Sequence, residues 1–202
     1  MIKNREELAQ LRQHATQRLG QYNCAVHICC GTGCLASGAG ELYETFRELV
    51  KDTPGVTLDF SPCGGKCEGD KTVNVSKTGC HGFCEKGPLV HIEPLGVMYV
   101  HVKPEDCQEI LEKTILNGEI VECLIYELDG KRYAKREEIP FYARQNRIVL
   151  ANCGTIAAED IEEYIAKGGY QGLEKALFEL DAEGICHRFR PPRPRRRWVP
   201  RR

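Results

Sequence analysis

Two cysteine- and glycine-rich stretches, CCGTGC at 29–34 and KTGCHGFCEKGP at 77–88, constrain this chain more than any other feature. Each directly follows an alternating run, YNCAVHIC and TVNVSKTG, of the kind that forms a half-buried strand. The chain must therefore present two thiol-bearing loops at the ends of two strands. Around them the order is regular. Leu8, Leu11, Ala15 and Leu19 lie at helical spacing in an opening helix, and ELYETFRELVKD places Leu42, Phe46 and Leu49 on one face of a second. GVTLDF is a further strand candidate. PLVHIEPLGVMYVHV reads as a hairpin turning at Pro94, Leu95 and Gly96, and Pro104 opens a helix that stops at Asn117 and Gly118. A β-α-β unit followed by a hairpin and a closing helix is an α/β, thioredoxin-like order.

Four thiolates in two close pairs are what a [2Fe-2S] cluster requires, because each iron takes two protein sulfurs besides the bridging sulfides. Gly31, Gly33 and Gly82 permit tight turns and let backbone amides approach those sulfurs. Spacing alone leaves the first pair open between Cys29 with Cys34 and Cys30 with Cys34. It also leaves Cys63 and Cys67, in CGGKC, as competitors. A structural zinc held by four cysteines is the alternative use of the same residues. Cys24, Cys107, Cys123 and Cys153 sit in apolar contexts and are expected to be buried, inert thiols. Four cysteines already satisfy both irons, so His27 and His81 are not needed as Rieske-type ligands. His81 is instead placed to act on the cluster from outside its ligand shell.

The formal net charge of -1 conceals a division. Residues 187–202 carry eight arginines and no acid; of the 28 Lys and Arg this leaves 20 against 29 Asp and Glu, or -9 for the rest of the chain. No run approaches the roughly 18 apolar residues of a membrane span, and the N-terminus lacks the apolar core of a secretory signal. A cytoplasmic protein is expected, and twelve cysteines there serve as ligands and buried thiols rather than disulfides.

ICCGTGCLASGAGELYETF, KTGCHGFCEKGPLVHIEPLGVMYVHVKPEDCQEILEKTILNGE and IPFYARQNRIVLANCGTIAAEDIEEYIAKGGYQGLEKAL together resemble a known family. They look like the N-terminal region of the flavin-carrying subunit of NADH-quinone oxidoreductases and of NAD(P)-linked, often electron-bifurcating, hydrogenases. The resemblance runs from about residue 22 to 180. It implies a thioredoxin-like [2Fe-2S] ferredoxin domain over 1–125 whose ligands, in a C-x₄-C and a C-x₃-C pair, are Cys29, Cys34, Cys80 and Cys84. Cys30 then stands where a glycine is usual, and Cys63 and Cys67 are non-ligands. It implies a linker and the incomplete start of an FMN- and NAD(P)H-binding flavoprotein domain over 126–180. The partners it implies are other subunits of an NADH dehydrogenase or hydrogenase complex.

By the same resemblance a glycine-rich FMN loop should follow GGYQGLEKAL, where the chain has its arginine- and proline-rich end. Read one base out of frame, Phe189 to Arg202 can encode Ser-Gly-Leu-Arg-Gly-Arg-Gly-Gly-Gly-Gly-Phe-Pro-Ala-Gly, which is close to that loop. The expectation is an out-of-frame, disordered tail over 181–202 on a fragment that does not oxidise NADH alone. The competing reading, tied to the zinc alternative, is an RNA-binding arm that neutralises phosphates.

Overall fold

The computed structural model describes residues 4–58 and 71–188; Cys63, Cys67 and the arginine-rich end from residue 189 lie outside them. Five strands form one sheet: β1 (Cys24–Cys29), β2 (Val56–Leu58), β3 (Lys71–Thr78), β4 (Val90–Glu93) and β5 (Val97–Tyr99). Their order is β2-β3-β1-β4-β5. β3 runs parallel to both β1 and β2, while β4 and β5 are antiparallel to their neighbours. This is the thioredoxin-like arrangement expected from the pattern, and the Pro94–Gly96 turn joins β4 to β5 as anticipated.

Side chains alternate across a strand, so the register divides the sheet into two chemically different faces. Cys24, Val26 and Ile28 of β1, Val73 and Val75 of β3, and Val90 and Ile92 of β4 are all buried on one face. Against them pack Leu42, Phe46 and Val50 of the helix α3 (Ala39–Asp52), the three apolar residues recurring every fourth position. Ile110, Leu111 and Ile115 complete this core. They belong to a helical stretch that starts as a 3₁₀ turn (Pro104–Asp106), passes through one α-helical turn, α4 (Cys107–Glu109), and widens into a π-helix (Ile110–Leu116). Tyr99 anchors its end, pairing its hydroxyl with Thr114 Oγ1 at 2.6 Å and accepting from Val121 N–H at 3.1 Å.

The opposite face carries His27, His91, Asn74, Ser76 and Thr78, and these polar side chains are buried too. They are covered by helices that lie far apart in the described sequence. The helix α1 (Arg5–Leu19), N-capped by Asn4, lies against α6 (Ile161–Ala166). Arg18 bridges them to Asp160 at 2.5 Å and Glu162 at 3.5 Å, and Glu163 reaches Asn74 at 3.5 Å and Ala157 N–H at 2.6 Å. Arg5 adds contacts to Glu174 of α7 (Gln171–Phe178) and to Glu179. A last helix, α8 (Ala182–Arg188), follows, so residues 182–188 of the end expected to be disordered are helical.

Three local expectations are corrected. The charged stretch from residue 126 is not a linker: it forms a hairpin, β6 (Tyr126–Leu128) with β7 (Lys131–Tyr133), turning at Asp129 and Gly130, both at positive φ. The Asp-Gly pair is the ordinary signal for that turn. RIVLANCG is not a strand: residues 148–154 run as a bend and turns with Ile148 and Val149 exposed, and the segment bridges β3 only further on, where Ala157 meets Thr78. Cys123, expected buried, is exposed in a 3₁₀ turn, whereas Cys24 and Cys107 are buried as anticipated.

His91 shows what the buried polar face costs. Burial first, then the neighbouring charge of His27, lowers its pKa from 6.5 to about 4. The folded protein therefore resists a proton that the unfolded chain accepts from about pH 6.5 downward, so stability is full above that pH and drains as pH falls toward 4. We expect denaturant midpoints measured between pH 7 and 5 to fall with acidification, and His91→Gln to flatten that slope.

Candidate metal centre

β1 and β3 are parallel neighbours, so both finish at the same end of the sheet, with Cys29 opposite Thr78. The chain then leaves each strand into one of the two thiol loops. After β1, Cys30 N–H still donates to Thr78 O at 3.0 Å, and the chain turns through Gly31 into the short helix α2 (Thr32–Ala36), which carries Cys34. After β3 come Cys80 and then Cys84, the first residue of a 3₁₀ turn (Cys84–Lys86). Thr78 Oγ1 donates to Ile28 O at 3.1 Å, so it accepts from His81 Nε2–H at 3.0 Å. That clasp ties the second loop to the first strand.

The four thiols form a chain of neighbours. Cys34 hydrogen-bonds Cys29, Cys29 in turn interacts with Cys80, and Cys80 Sγ lies 3.5 Å from Cys84 Sγ. Cys29 and Cys34 are fully buried, while Cys80 and Cys84 are exposed. Backbone amides point at the sulfurs: Gly31 and His81 donate to Cys29, Leu89 to Cys34, and Gly82 to Cys80 at 3.3 Å. The hydrogen bond from Cys34 lowers Cys29 to about 6, helped by those amides, and the same bond together with burial raises Cys34. Cys84 is raised by its bond to Cys80.

Two glycines make this approach possible. A Cβ on Gly31 would stand 2.9 Å from Cys80 Cβ and 3.2 Å from its Sγ, and one on Gly87 would stand 2.6 Å from Cys34 Sγ. Side chains at either position would occupy the space the sulfurs use. Around the loop, Phe83 stacks on Phe141 of the short helix α5 (Pro140–Ala143) at 4.7 Å and meets Tyr126 edge-on at 5.1 Å, an aromatic wall drawn from three segments.

Cys30 stays outside this chain of thiols, where burial raises its pKa and Lys77 opposes the rise. His27 Nδ1 pairs with Ser76 Oγ at 2.9 Å on the polar face of the sheet. His81, between Cys80 and Cys84 in the sequence, points its ring at Thr78 and His91; it is fully buried and held well below its ordinary pKa by that burial, so it is neutral. Sequence reasoning missed Arg147, whose guanidinium Nη2 donates to His81 O and whose Nη1 reaches Cys153 O at 3.5 Å. Cys153, expected to be inert and buried, is half-buried beside Gly79: a Cβ on that glycine would stand 3.4 Å from its Sγ.

Four thiols in a row, with amides aimed at the sulfurs, suit two irons with two thiolates each. A family model for the thioredoxin-like [2Fe-2S] ferredoxin matches residues 12–115. The chain belongs to this family.

Relatives of this ferredoxin domain include a [2Fe-2S] ferredoxin of Aquifex aeolicus, 35% identical over 92 residues, which are 46% of this chain and 71% of the relative. Another, from Clostridium pasteurianum, is 36% identical over 91 residues, 45% of this chain and 76% of that protein. A crystal structure of the Aquifex thioredoxin-like [2Fe-2S] ferredoxin aligns with a TM-score of 0.42 at 30% identity, covering 53% of this chain and 99% of that one. An NAD⁺-reducing [NiFe]-hydrogenase aligns with a TM-score of 0.35 at 15% identity, over 56% of this chain and 20% of the hydrogenase chain. The ferredoxin domain is thus a [2Fe-2S] electron-transfer domain, and none of its described helices is long and apolar enough to cross a membrane.

Gly87→Ala should sharply lower iron and sulfide per chain after anaerobic purification, because its methyl meets Cys34 Sγ. Gly172→Ala, inside α7 with nothing within 4 Å of the added methyl, should leave both unchanged and stabilise by about 0.5–1 kcal/mol in denaturant unfolding.

Proposed function

We propose that Cys29, Cys34, Cys80 and Cys84 ligate the cluster and that the domain is the [2Fe-2S] relay of an NAD(P)H-linked flavoprotein oxidoreductase. The parent would be an NADH-quinone oxidoreductase or an NAD(P)-reducing hydrogenase. The observation that carries the ligand set is the unbroken contact from Cys34 through Cys29 and Cys80 to Cys84. Bound there, the cluster supplies one-electron exchange. The chain's own residues do the rest. Amides of Gly31, His81, Leu89 and Gly82 offset negative charge on the sulfurs. The Phe83, Phe141 and Tyr126 rings keep water from one side, and the exposed Cys80 and Cys84 give an electron partner its closest approach.

The tie to a flavoprotein rests on the three stretches quoted above occurring in the family's order. It also rests on how residues 139–178 are used. They do not hang free of the ferredoxin domain: Ala158 N–H donates to Lys77 O at 2.9 Å, Arg147 holds His81 O, and α6 packs on α1. A flavin domain continuing from such a segment would start beside the thiol loops. On this reading residues 1–125 are the ferredoxin domain, 126–180 lead into the flavoprotein domain, FMN and NAD(P) belong to the longer assembly, and the partners are other subunits of it.

The test is anaerobic expression of the full chain, with iron, sulfide and zinc content and EPR after dithionite reduction. Two irons, two sulfides and a rhombic reduced signal are expected, with a midpoint on the order of -400 mV. Serine at Cys29, Cys34, Cys80 or Cys84 should weaken or abolish the signal, and Cys63→Ser should leave it intact. Zinc without sulfide would sink the relay and restore the structural-zinc reading; loss of signal in Cys63→Ser would overturn the ligand set alone.

A further inference from the structure

A cavity of about 620 Å³ opens beside the β4–β5 turn, within the range of sites for small organic ligands. It is walled by His91 and Glu93 of β4, by Arg136 just after β7, and by Tyr142 and Arg147, with Lys135 at its rim. Its electrostatics are unbalanced. Arg136 and Arg147 flank the same tyrosine ring, their guanidinium carbons 5.2 and 5.7 Å from the Tyr142 centroid. Neither they nor Lys135 has a carboxylate within ion-pair distance among the described residues. Arg147 is held by the carbonyls of His81 and Cys153 instead, so its charge is positioned and not neutralised. Burial and the charge of Arg147 both lower the pKa of Arg136.

Two acids line the same cavity. Glu93 lies 3.9 Å from both His27 and His91 and is held in its charged form chiefly by the nearby His27 imidazole. Glu137 is exposed at the rim. Neither closes on a guanidinium. Two further polar atoms on the wall are orphaned. The Tyr142 hydroxyl and His91 Nδ1 are buried without a hydrogen-bond partner, and His91 is only 4% exposed. Bringing two guanidiniums together over one ring, and leaving a phenol and an imidazole nitrogen unpaired beside them, costs stability in the free protein. A dianionic oxyanion between the guanidiniums would offset that cost, with the phenol as a further donor.

We propose that this cavity is a binding site for the phosphoryl group of a small ligand. A phosphomonoester carries about -1.5 to -2 charges and three acceptor oxygens at neutral pH, which matches two guanidiniums and a hydroxyl; a single carboxylate answers only one of the cations. The cavity exceeds a bare phosphate, leaving room for an organic body against Pro94, Leu95 and Gly96. The site stands independently of the cluster's ligand set. It is nonetheless joined to the thiol loop, because Arg147 touches the ligand chemistry on one side and the His81 carbonyl on the other.

The experiment is calorimetric titration of the full cluster-loaded chain at constant ionic strength with inorganic phosphate, glycerol phosphate and acetate. Saturable binding of one or both phosphates is expected, with acetate weaker by about tenfold or more. Tighter binding of glycerol phosphate assigns the site to an organic phosphate, and equal affinities assign it to free phosphate. Arg136→Gln should weaken phosphate binding by about tenfold or more, while the ligand-free melting temperature stays level or rises because a desolvated cation is gone. Should Arg136→Gln fail to retain its cluster, Tyr142→Phe carries the test, with a severalfold loss of affinity expected. Absence of saturable heat with both phosphates, acetate binding as tightly, or unchanged affinity in the variant that folds would each overturn the proposal.

Discussion

The parallel pairing of β1 with β3 is the constraint on which the site depends. Only in a parallel pair do two strands deliver their following loops to the same place, and here each loop carries two cysteines. Register matters as much as direction. With Cys29 opposite Thr78, the Thr78 hydroxyl spans to Ile28 O and receives His81, which sets Cys80 beside Cys29. A slip by one residue would turn His27 and Cys29 into the apolar face and expel Val26 and Ile28 from it. The apolar core beneath α3 therefore fixes the geometry of thiols that lie at its edge.

The other face of the sheet obeys a different rule. Thr72, Asn74, Ser76, Thr78, His27 and His91 would suit a solvated surface, yet all are buried. His27, Asn74 and Thr78 tolerate it because partners are supplied, Ser76 for His27, Glu163 for Asn74 and Ile28 O for Thr78, whereas His91 Nδ1 has no hydrogen bond. The covering layer is made of α1 and α6, from opposite ends of the described chain, locked by Arg18 between Asp160 and Glu162. Such buried ion pairs add little net stability over an apolar contact, but breaking one leaves an uncompensated charge, so they hold one arrangement against others. The residues beyond the family match at 115 thus complete a face that the ferredoxin portion alone would leave uncovered.

Much of this was legible because period and punctuation agreed. The alternation in CAVHIC and TVNVSKT, and the helical spacing of Leu42 and Phe46, each reflect one dominant burial pattern, and the strands and α3 follow it. Legibility failed where partners decide the outcome. RIVLANCG has strand composition, but a strand needs an edge, and neighbours are not written in the run itself. The hairpin at Asp129-Gly130 was hidden by the charge of its flanks, although the turn pair stood in plain view. For the thiols, spacing left Cys29 and Cys30 equivalent; what separates them is that alternate residues of β1 face opposite ways, which brings Cys29 to Cys34 and Cys80 and turns Cys30 toward Lys77. Arg147 could not be found from sequence, since its role is a contact with a carbonyl 66 residues away.

The asymmetry of the thiol row bears on how a relay of this kind would work. Cys29 and Cys34 are sealed beneath the sheet's end and receive amides from Gly31, His81 and Leu89, while Cys80 and Cys84 are exposed, with Gly82 N–H on Cys80. Donors at the buried end stabilise negative charge where water does not, and solvent performs that service at the exposed end. With the proposed ligand set, the protein would thus moderate the reduced cluster from both sides by different means. Arg147, reaching over His81 toward the exposed loop, adds a fixed positive charge on that side. Its anchor is the segment after residue 139, so the electrostatics of the exposed edge are set by residues outside the ferredoxin match, and a ferredoxin domain cut off at residue 115 would not carry the same charge beside its thiols.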